Sequence, residues 1–387
     1  MLATMPTADA IARLAADLVR IDSRSTASNL PVAERIEAEL AGFGSGFVIE
    51  RLDYADAAGV AKRALVARRG RGGLALSGHM DTVPETGWTE TGGGPWSGRI
   101  EDGVLHGLGA ADMKGPLAAI LAAAGRLPEA VPLTLLLTTD EETTKAGARR
   151  VAAASVLLRD APPAAIVVAE PTRLVPVRGH RAHIVFTATA TGVQAHSSTG
   201  AGRNANWTLI PFLAEMRGLF ERLRTDPAMH DAAYDPPFSD FNLILDNHGA
   251  ALNVTVPVAT ARIKFRYSAG VDPAPVLAAV RAAAVRAGVA LDEAREGRPP
   301  ELPADHPLVR LAEAETGQAA RTVPFGTDAS ELQAIAPCLV LGPGDIAQAH
   351  RPGESIEVAA LEQAAALFVR LAERVAAGSF ASTTEHP

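Results

Sequence analysis

Four short apolar runs, each followed by an acid or an imidazole just beyond its end, constrain this chain more than any other feature of its sequence. They are Leu74 to Ser77, Pro132 to Thr138, Ala164 to Ala169 and Cys338 to Leu341. Runs this short, bounded by polar or turn residues, read as strands buried on both faces. With helical stretches between them, they predict an α/β fold: a mixed, largely parallel sheet flanked by helices. Beyond the first run stands His79-Met80-Asp81, beyond the second Asp140-Glu141-Glu142, and beyond the third Glu170. Beyond the fourth, Gly342-Pro343-Gly344 leads to His350. Ligands of open α/β sheets bind past the carboxyl ends of strands, so separate elements deliver acids and imidazoles to one edge. That convergence suggests a metal site.

A length of 387 residues with 48% hydrophobic content supports a sizeable core and favours two domains. Between about Gly179 and Asp292 the texture changes. Strand-like Ala182 to Ala190 is followed by a helix from Asn204 to Leu223, a loop around Pro236-Pro237, strand-like Ala259 to Tyr267 and a helix from Pro273 to Ala287. This order predicts a small α+β unit over 179–292, a lid inserted between the two parts of a first domain, 1–178 and 293–387. The Ala-rich stretches Leu117 to Gly125 and Pro275 to Val285 have helical spacing and read as scaffold.

The net charge of −8 argues against a general affinity for nucleic acid or anionic membrane, which clustered Lys and Arg would hold. Met1 to Ile21 reads as an amphipathic helix capped at Thr7. Asp9, Arg13, Asp17 and Arg20 interrupt its apolar positions, unlike the core of a signal peptide. No window of about 18 uncharged apolar residues suggests a membrane span. The single cysteine, Cys338, lies in an apolar run, as a core thiol in a reducing compartment would. The expected location is cytoplasmic. Gly378 to Pro387 reads as a frayed polar tail.

The spacing in His79-Met80-Asp81 places both side chains on one face of a strand, where the aspartate can accept the imidazole N–H and aim the other nitrogen at a metal. The loop Gly107 to Gly115 runs into an Ala-rich helix, and its glycines permit a tight path that turns Asp112 inward. Asp140-Glu141-Glu142 crowds three carboxylates that repel unless a cation compensates or they point apart, so one can bind metal while its neighbour stays free as a base. Each motif alone also reads as an ordinary strand end, helix cap or turn, and for all but the Asp112 loop that reading is the commoner one. Together they offer mixed N/O ligation that suits zinc, with cobalt or manganese as substitutes. Two divalent ions about 3.5–4 Å apart favour hydrolysis, because bound water ionises near pH ~7.

The segments Ser77 to Pro84, Gly107 to Gly115, Thr139 to Glu142, Ala169 to Thr172 and Ala195 to Ser198 resemble, in order and spacing, the M20 metallopeptidase family. The resemblance implies that Asp112 bridges two zinc ions, that His79 and Glu170 complete one ion's protein ligands, and that Glu142 and His350 complete the other's. It further implies Glu141 as general base, Asp81 as the residue orienting His79, and a cis peptide after Asp112. The inserted segment is similar to the family's lid, which commonly forms a homodimer interface. There His196 would stabilise the oxyanion, and Asn253 and Arg266 would contact the substrate's carboxylate or carbonyl. Lys264 departs from the family pattern, which usually has an acid there.

Within the family, Leu339 to Gly344 and Ala347 to Pro352 are most similar to acetylornithine deacetylases, whereas Phe325-Gly326-Thr327-Asp328 is closer to the succinyl-diaminopimelate desuccinylases. The expected activity is metal-dependent hydrolysis of a small N-acyl amino acid. The alternatives are the desuccinylase reaction, a carboxypeptidase or dipeptidase, and a silent small-molecule-binding protein that would have lost the base or a ligand.

Overall fold

The structure, a computed structural model, describes residues 8–43, 46–89 and 92–378. The chain begins with α1 (Ala8–Arg20), α2 (Leu30–Gly42), β1 (Val48–Ala55), β2 (Ala61–Arg69), β3 (Leu74–His79), β4 (Arg99–Glu101), β5 (Val104–His106) and α3 (Lys114–Arg126). It continues with β6 (Leu133–Thr138), α4 (Ala146–Ala154), α5 (Val156–Asp160), β7 (Ala165–Pro171), β8 (Val177–His180), β9 (Ala182–Thr191), α6 (Ala205–Thr225), β10 (Asp240–Asp246) and β11 (Val258–Tyr267). It ends with α7 (Ala274–Ala287), β12 (Ala290–Arg295), α8 (Pro307–Thr316), β13 (Arg321–Val323), α9 (Ala329–Leu332), β14 (Cys338–Gly342), β15 (Ser355–Glu357) and α10 (Val358–Ala376). The Thr7 cap and the tail beyond Gly378 lie outside the described residues.

Two compact units emerge: Met1–Gly179 with Pro300–Arg321 and Thr327–Pro387, and His180–Pro299 with Thr322–Gly326. The larger is built on a sheet of order β1-β2-β6-β3-β7-β14-β8-β13. Its four central strands, β6, β3, β7 and β14, are the four apolar runs of the sequence. They are mutually parallel, while β1, β2 and β8 pair antiparallel at the flanks. Every residue of the central four is buried.

The pleat divides their side chains. Leu74, Leu76, Leu133, Leu135, Leu137, Ala165, Val167, Ala169, Leu339 and Leu341 join one apolar cluster with α1, α2, α3, α8 and α10. The alternate residues face the side where α4 packs on β6 and α9 on β14. Helices on both faces leave no wet face, which is why these strands read as continuous apolar runs. Helix α3 is buried from Lys114 through Ala124, and its alanines let α1 and α10 pack close beside it.

The second unit is an antiparallel sheet, β10-β11-β9-β12, with its own core of Ile184, Phe186, Phe212, Ile263 and Phe265 under α6 and α7. Burial alternates strictly along β9, as expected for a sheet covered on one face. Asn204 caps α6 by accepting the N–H of Asn206 at 2.9 Å. The order β-α-β-α read from the sequence lacks the two edge strands, and a boundary at 292 would cut β12, which runs to Arg295. Edge strands have few buried positions: Leu243, Ile244 and Leu245 of β10 are exposed, and β12 is largely polar, so neither produces an apolar run. No helix among the described residues is long and apolar enough to cross a membrane.

Candidate metal centre

The five residues expected as metal ligands, His79, Asp112, Glu142, Glu170 and His350, all belong to the larger unit, and they meet. His79, Asp112 and Glu170 offer one ligand atom each within 4.8 Å of one another, and so do Asp112, Glu142 and His350. Asp112 belongs to both sets. Its Oδ1 lies 3.0 Å from His79 Nε2 and its Oδ2 lies 3.2 Å from His350 Nε2. Glu170 Oε1 is 3.9 Å from His79 Nε2, and Glu142 Oε1 is 3.0 Å from His350 Nε2.

Local backbone geometry produces this meeting. His79 and Glu170 sit on the adjacent parallel strands β3 and β7. The loop into α3 turns through Gly107 (φ +141°) and Gly109 (φ +83°), where a side chain on Gly107 would also meet Val19 at 2.4 Å. The Asp112-Met113 peptide is cis, as the family resemblance led us to expect. Asp140 (φ +62°) and His350 (φ +60°) adopt the left-handed region, a strained state of about 1–3 kcal/mol that clusters at functional sites.

The turn after Asp140 presents the N–H groups of Glu141 and Glu142 to the Asp81 carboxylate at 3.2 and 3.3 Å, and Ser25 Oγ donates to it at 2.8 Å. The Asp81 carboxylate is therefore engaged elsewhere. The nearest acceptor for His79 Nδ1 is the Asp81 carbonyl at 3.0 Å, with the carboxylate at 3.5 Å, rather than the carboxylate that the His-x-Asp spacing suggests. A carbonyl can only accept, so the ring keeps a hydrogen on Nδ1; Nε2, which donates to Asp112 while the carboxylates hold the ring protonated, is the nitrogen left to face a metal.

Burial dominates the electrostatics. It holds the Glu170 carboxyl well above the ordinary range, with the Asp112 charge adding to the effect, and holds Glu142 at about 8 despite a hydrogen bond from His350. At Asp112 burial pushes upward too, but the His350 and His79 contacts outweigh it and leave the group well below the usual carboxylate range. At Asp81 the imidazole of His79, Ser25 and the Glu141 N–H likewise overcome burial and lower it. His350 is raised to about 11, chiefly by its hydrogen bonds to Asp112 and Glu142. Glu141 belongs to neither set. Burial raises it, offset in part by Lys145, whose Nζ lies 3.6 Å away. Carboxyls buried beside another carboxylate, as Glu142 and Glu170 are beside Asp112, resist ionisation until cations compensate, and two three-donor N/O sets sharing a carboxylate fit divalent ions.

Sequence reading missed several residues that brace the site. Lys62, fully buried, donates to Ser25 O at 2.6 Å and Ala27 O at 2.8 Å, and pairs with Asp140 Oδ1 at 3.0 Å. Tyr54 OH donates to Asp140 Oδ2 at 2.7 Å. Asp328 accepts the Thr138 hydroxyl and is raised to about 8 by burial and then by the Glu141 charge. Glu354 accepts main-chain N–H groups of the Asp112 loop. Of the remaining expected residues, His196, Asn253 and Arg266 belong to the second unit. His196 is exposed on a turn, with Nδ1 2.7 Å from Ser198 Oγ. Asn253 is exposed and its carbonyl accepts the Ser197 N–H, while Arg266 pairs with Asp240 at 2.9 Å.

Residues 75–374 match the model of peptidase family M20/M25/M40. The chain belongs to that family. As a family member it is a hydrolase, and its carboxylate–imidazole clusters accord with the use of divalent metal. It is 32% identical over 373 residues to an acetylornithine deacetylase of Myxococcus xanthus, covering 92% of this chain and 94% of the relative. To an acetylornithine deacetylase of Proteus mirabilis it is 35% identical over 340 residues, 85% and 86% of the two chains. Among solved structures, a tripeptidase from Staphylococcus aureus superposes with a TM-score of 0.71 at 19% identity, covering 96% of this chain and 100% of the other, a likeness of fold.

Proposed function

We propose that this chain hydrolyses the amide bond of a small N-acyl amino acid, as the relatives named acetylornithine deacetylase do, at a centre of two divalent metals. The observation that carries the reading is the shared Asp112, one oxygen facing each imidazole. Two imidazoles with three carboxylates suit zinc, and cobalt or manganese would be accepted by the same donors. His79 and Glu170 would hold one ion, Glu142 and His350 the other, with Asp112 common to both. When bound, such a pair polarises the scissile carbonyl and makes water ionisable near pH ~7.

The chain's own groups do the proton work. Glu141 takes the proton of the attacking water and returns it to the leaving nitrogen, a role suited to a carboxyl raised by burial and left outside both donor sets. Asp81 fixes the His79 ring through its carbonyl and anchors the Glu141–Glu142 turn through its carboxylate. In the second unit, the lid of this proposal, His196 serves the oxyanion from an exposed turn, with its Nδ1 tied to Ser198. Asn253 and Arg266 receive the substrate's carboxylate or carbonyl. A homodimer through this unit belongs to the same reading, supported by exposed Leu243, Ile244 and Leu245 on the edge strand β10. So does a cytoplasmic location.

Turnover of N-acetylornithine, succinyl-diaminopimelate and a dipeptide panel, with metal analysis of the same preparation, tests the proposal. Deacylation of the N-acetyl substrate is expected. Activity on dipeptides alone would reject the deacylase reading, and bound metal without turnover of any substrate would favour a silent binder.

A further inference from the structure

The loop that carries Asp112 gives three of its main-chain N–H groups to one residue that the hydrolytic reading leaves without a role. Glu354 is buried, with 1% of its surface exposed. Its Oε1 accepts the main-chain N–H of Ala111 at 2.8 Å and that of Asp112 at 2.9 Å. Its carbonyl accepts the N–H of Gly107 at 3.1 Å, so it grips the loop at its start and again at its middle. The Glu354 N–H closes a turn on Arg351 O at 3.2 Å, directly after His350. One short segment therefore presents His350 to one side of Asp112 and holds the Asp112 backbone from beneath.

Such a clamp matters because the Asp112 carboxylate must face two directions at once. Its oxygens reach different imidazoles, and a small rotation of the loop would favour one donor set over the other. One buried oxygen accepting two consecutive N–H groups fixes that rotation, because losing it would leave both donors without a partner.

We propose that Glu354 is a positioning residue: by anchoring the N–H groups of Ala111 and Asp112, it sets the direction of the shared carboxylate and ties both donor sets to the His350 turn. The proposal rests on the two-metal reading of the centre. A single oxygen takes both N–H groups, so a carboxamide can replace the carboxylate, whereas a methyl group cannot.

The test titrates metal-free full-length protein with Zn(II) against a chromophoric competitor, comparing E354A and E354Q with D112N and H350A. D112N is expected to lose tight binding at both sites and H350A at one. E354A is expected to keep two sites but bind both roughly 10- to 100-fold more weakly, the usual effect of removing a residue that orients a ligand. E354Q, which keeps the accepting oxygen, is expected to titrate closer to the unaltered protein than to E354A, and E354M, which fills the same space without that oxygen, closer to E354A, a split that lost packing alone would not show. Should E354A fail to fold, E354D, whose carboxylate falls one methylene short of the loop, carries the same expectation. E354A (or E354D in its place) binding as tightly as the unaltered protein, or E354Q binding as weakly as E354A, overturns the proposal while leaving the centre intact. D112N with two undiminished sites overturns the metal reading itself, and the positioning role with it.

Discussion

Replacing Lys62 with methionine tests how the site is braced from below. Lys62 and Asp140 are 0% and 4% exposed in their side chains, so their attraction is not screened by solvent. Removing one partner of such a buried pair costs about 3–5 kcal/mol. A second route to the magnitude goes through the proton. Burial already raises Asp140, with Tyr54 and Lys62 pulling it back, and without Lys62 the carboxyl would bind a proton rather than stay charged. Held neutral at pH 7, a group with an unfolded pKa of ~3.9 costs at most about (7 − 3.9) × 1.36, or about 4 kcal/mol. At pH 5 the same product is about 1.5 kcal/mol.

The sign follows from proton counts. The folded variant holds a proton that the unfolded chain releases, so stability falls as pH rises. Urea unfolding of the chelated protein at pH 5 and pH 7 measures this, in a W207F background that confines tryptophan fluorescence to Trp88 and Trp96 of the larger unit. The K62M deficit should be largest at pH 7, and K62M/D140N should recover part of it, since a neutral pair leaves no stranded charge. A deficit below about 1 kcal/mol, as for exposed pairs, or one equal at both pH values, would refute the argument. So would a double variant no more stable than K62M.

Glu141→Gln should lower kcat by roughly 10²- to 10⁴-fold with metal content unchanged, measured by turnover and elemental analysis of the same sample. Chelation of the unaltered protein should abolish turnover and lower its thermal midpoint, and added Zn(II) should restore both. Asp328 is held at about 8, above its ordinary value, so it lowers stability progressively as pH rises from the ordinary carboxylate range through about 8. The chelated D328N protein should accordingly show a flatter fall in midpoint between pH 5 and 8 than its parent. Cys338 is buried and its thiol is raised by burial, so a native-state thiol titration should find it unreactive until denaturant is added.

What could be read from the sequence follows from burial. The central strands are covered on both faces, and every position had to be apolar or small, so Leu133 to Thr138 and its three companions stood out. The metal-centre candidates were visible because they interrupt that apolar pattern at strand ends. The bracing residues lack such a signal. Lys62 lies in Ala61–Arg69, a strand rich in basic residues, where only its contacts with Ser25, Ala27 and Asp140 show why one lysine turns inward. Glu354 follows His350 by four positions in a polar turn, and its worth depends on main-chain N–H groups from the Asp112 loop, which no local pattern encodes. The edges of the second sheet were missed because edge strands bury too little to be periodic.

The interruption of the larger unit by the smaller one has a consequence for how the protein is made. Glu142 and His350 are 208 positions apart, and the second unit is synthesised almost entirely between them. At about 5–20 residues per second, the ribosome delivers the last imidazole roughly 10–40 s after the last acid of its set. On the proposed reading the Glu142 set stays incomplete throughout that interval, until strand β14 and the turn beyond it arrive.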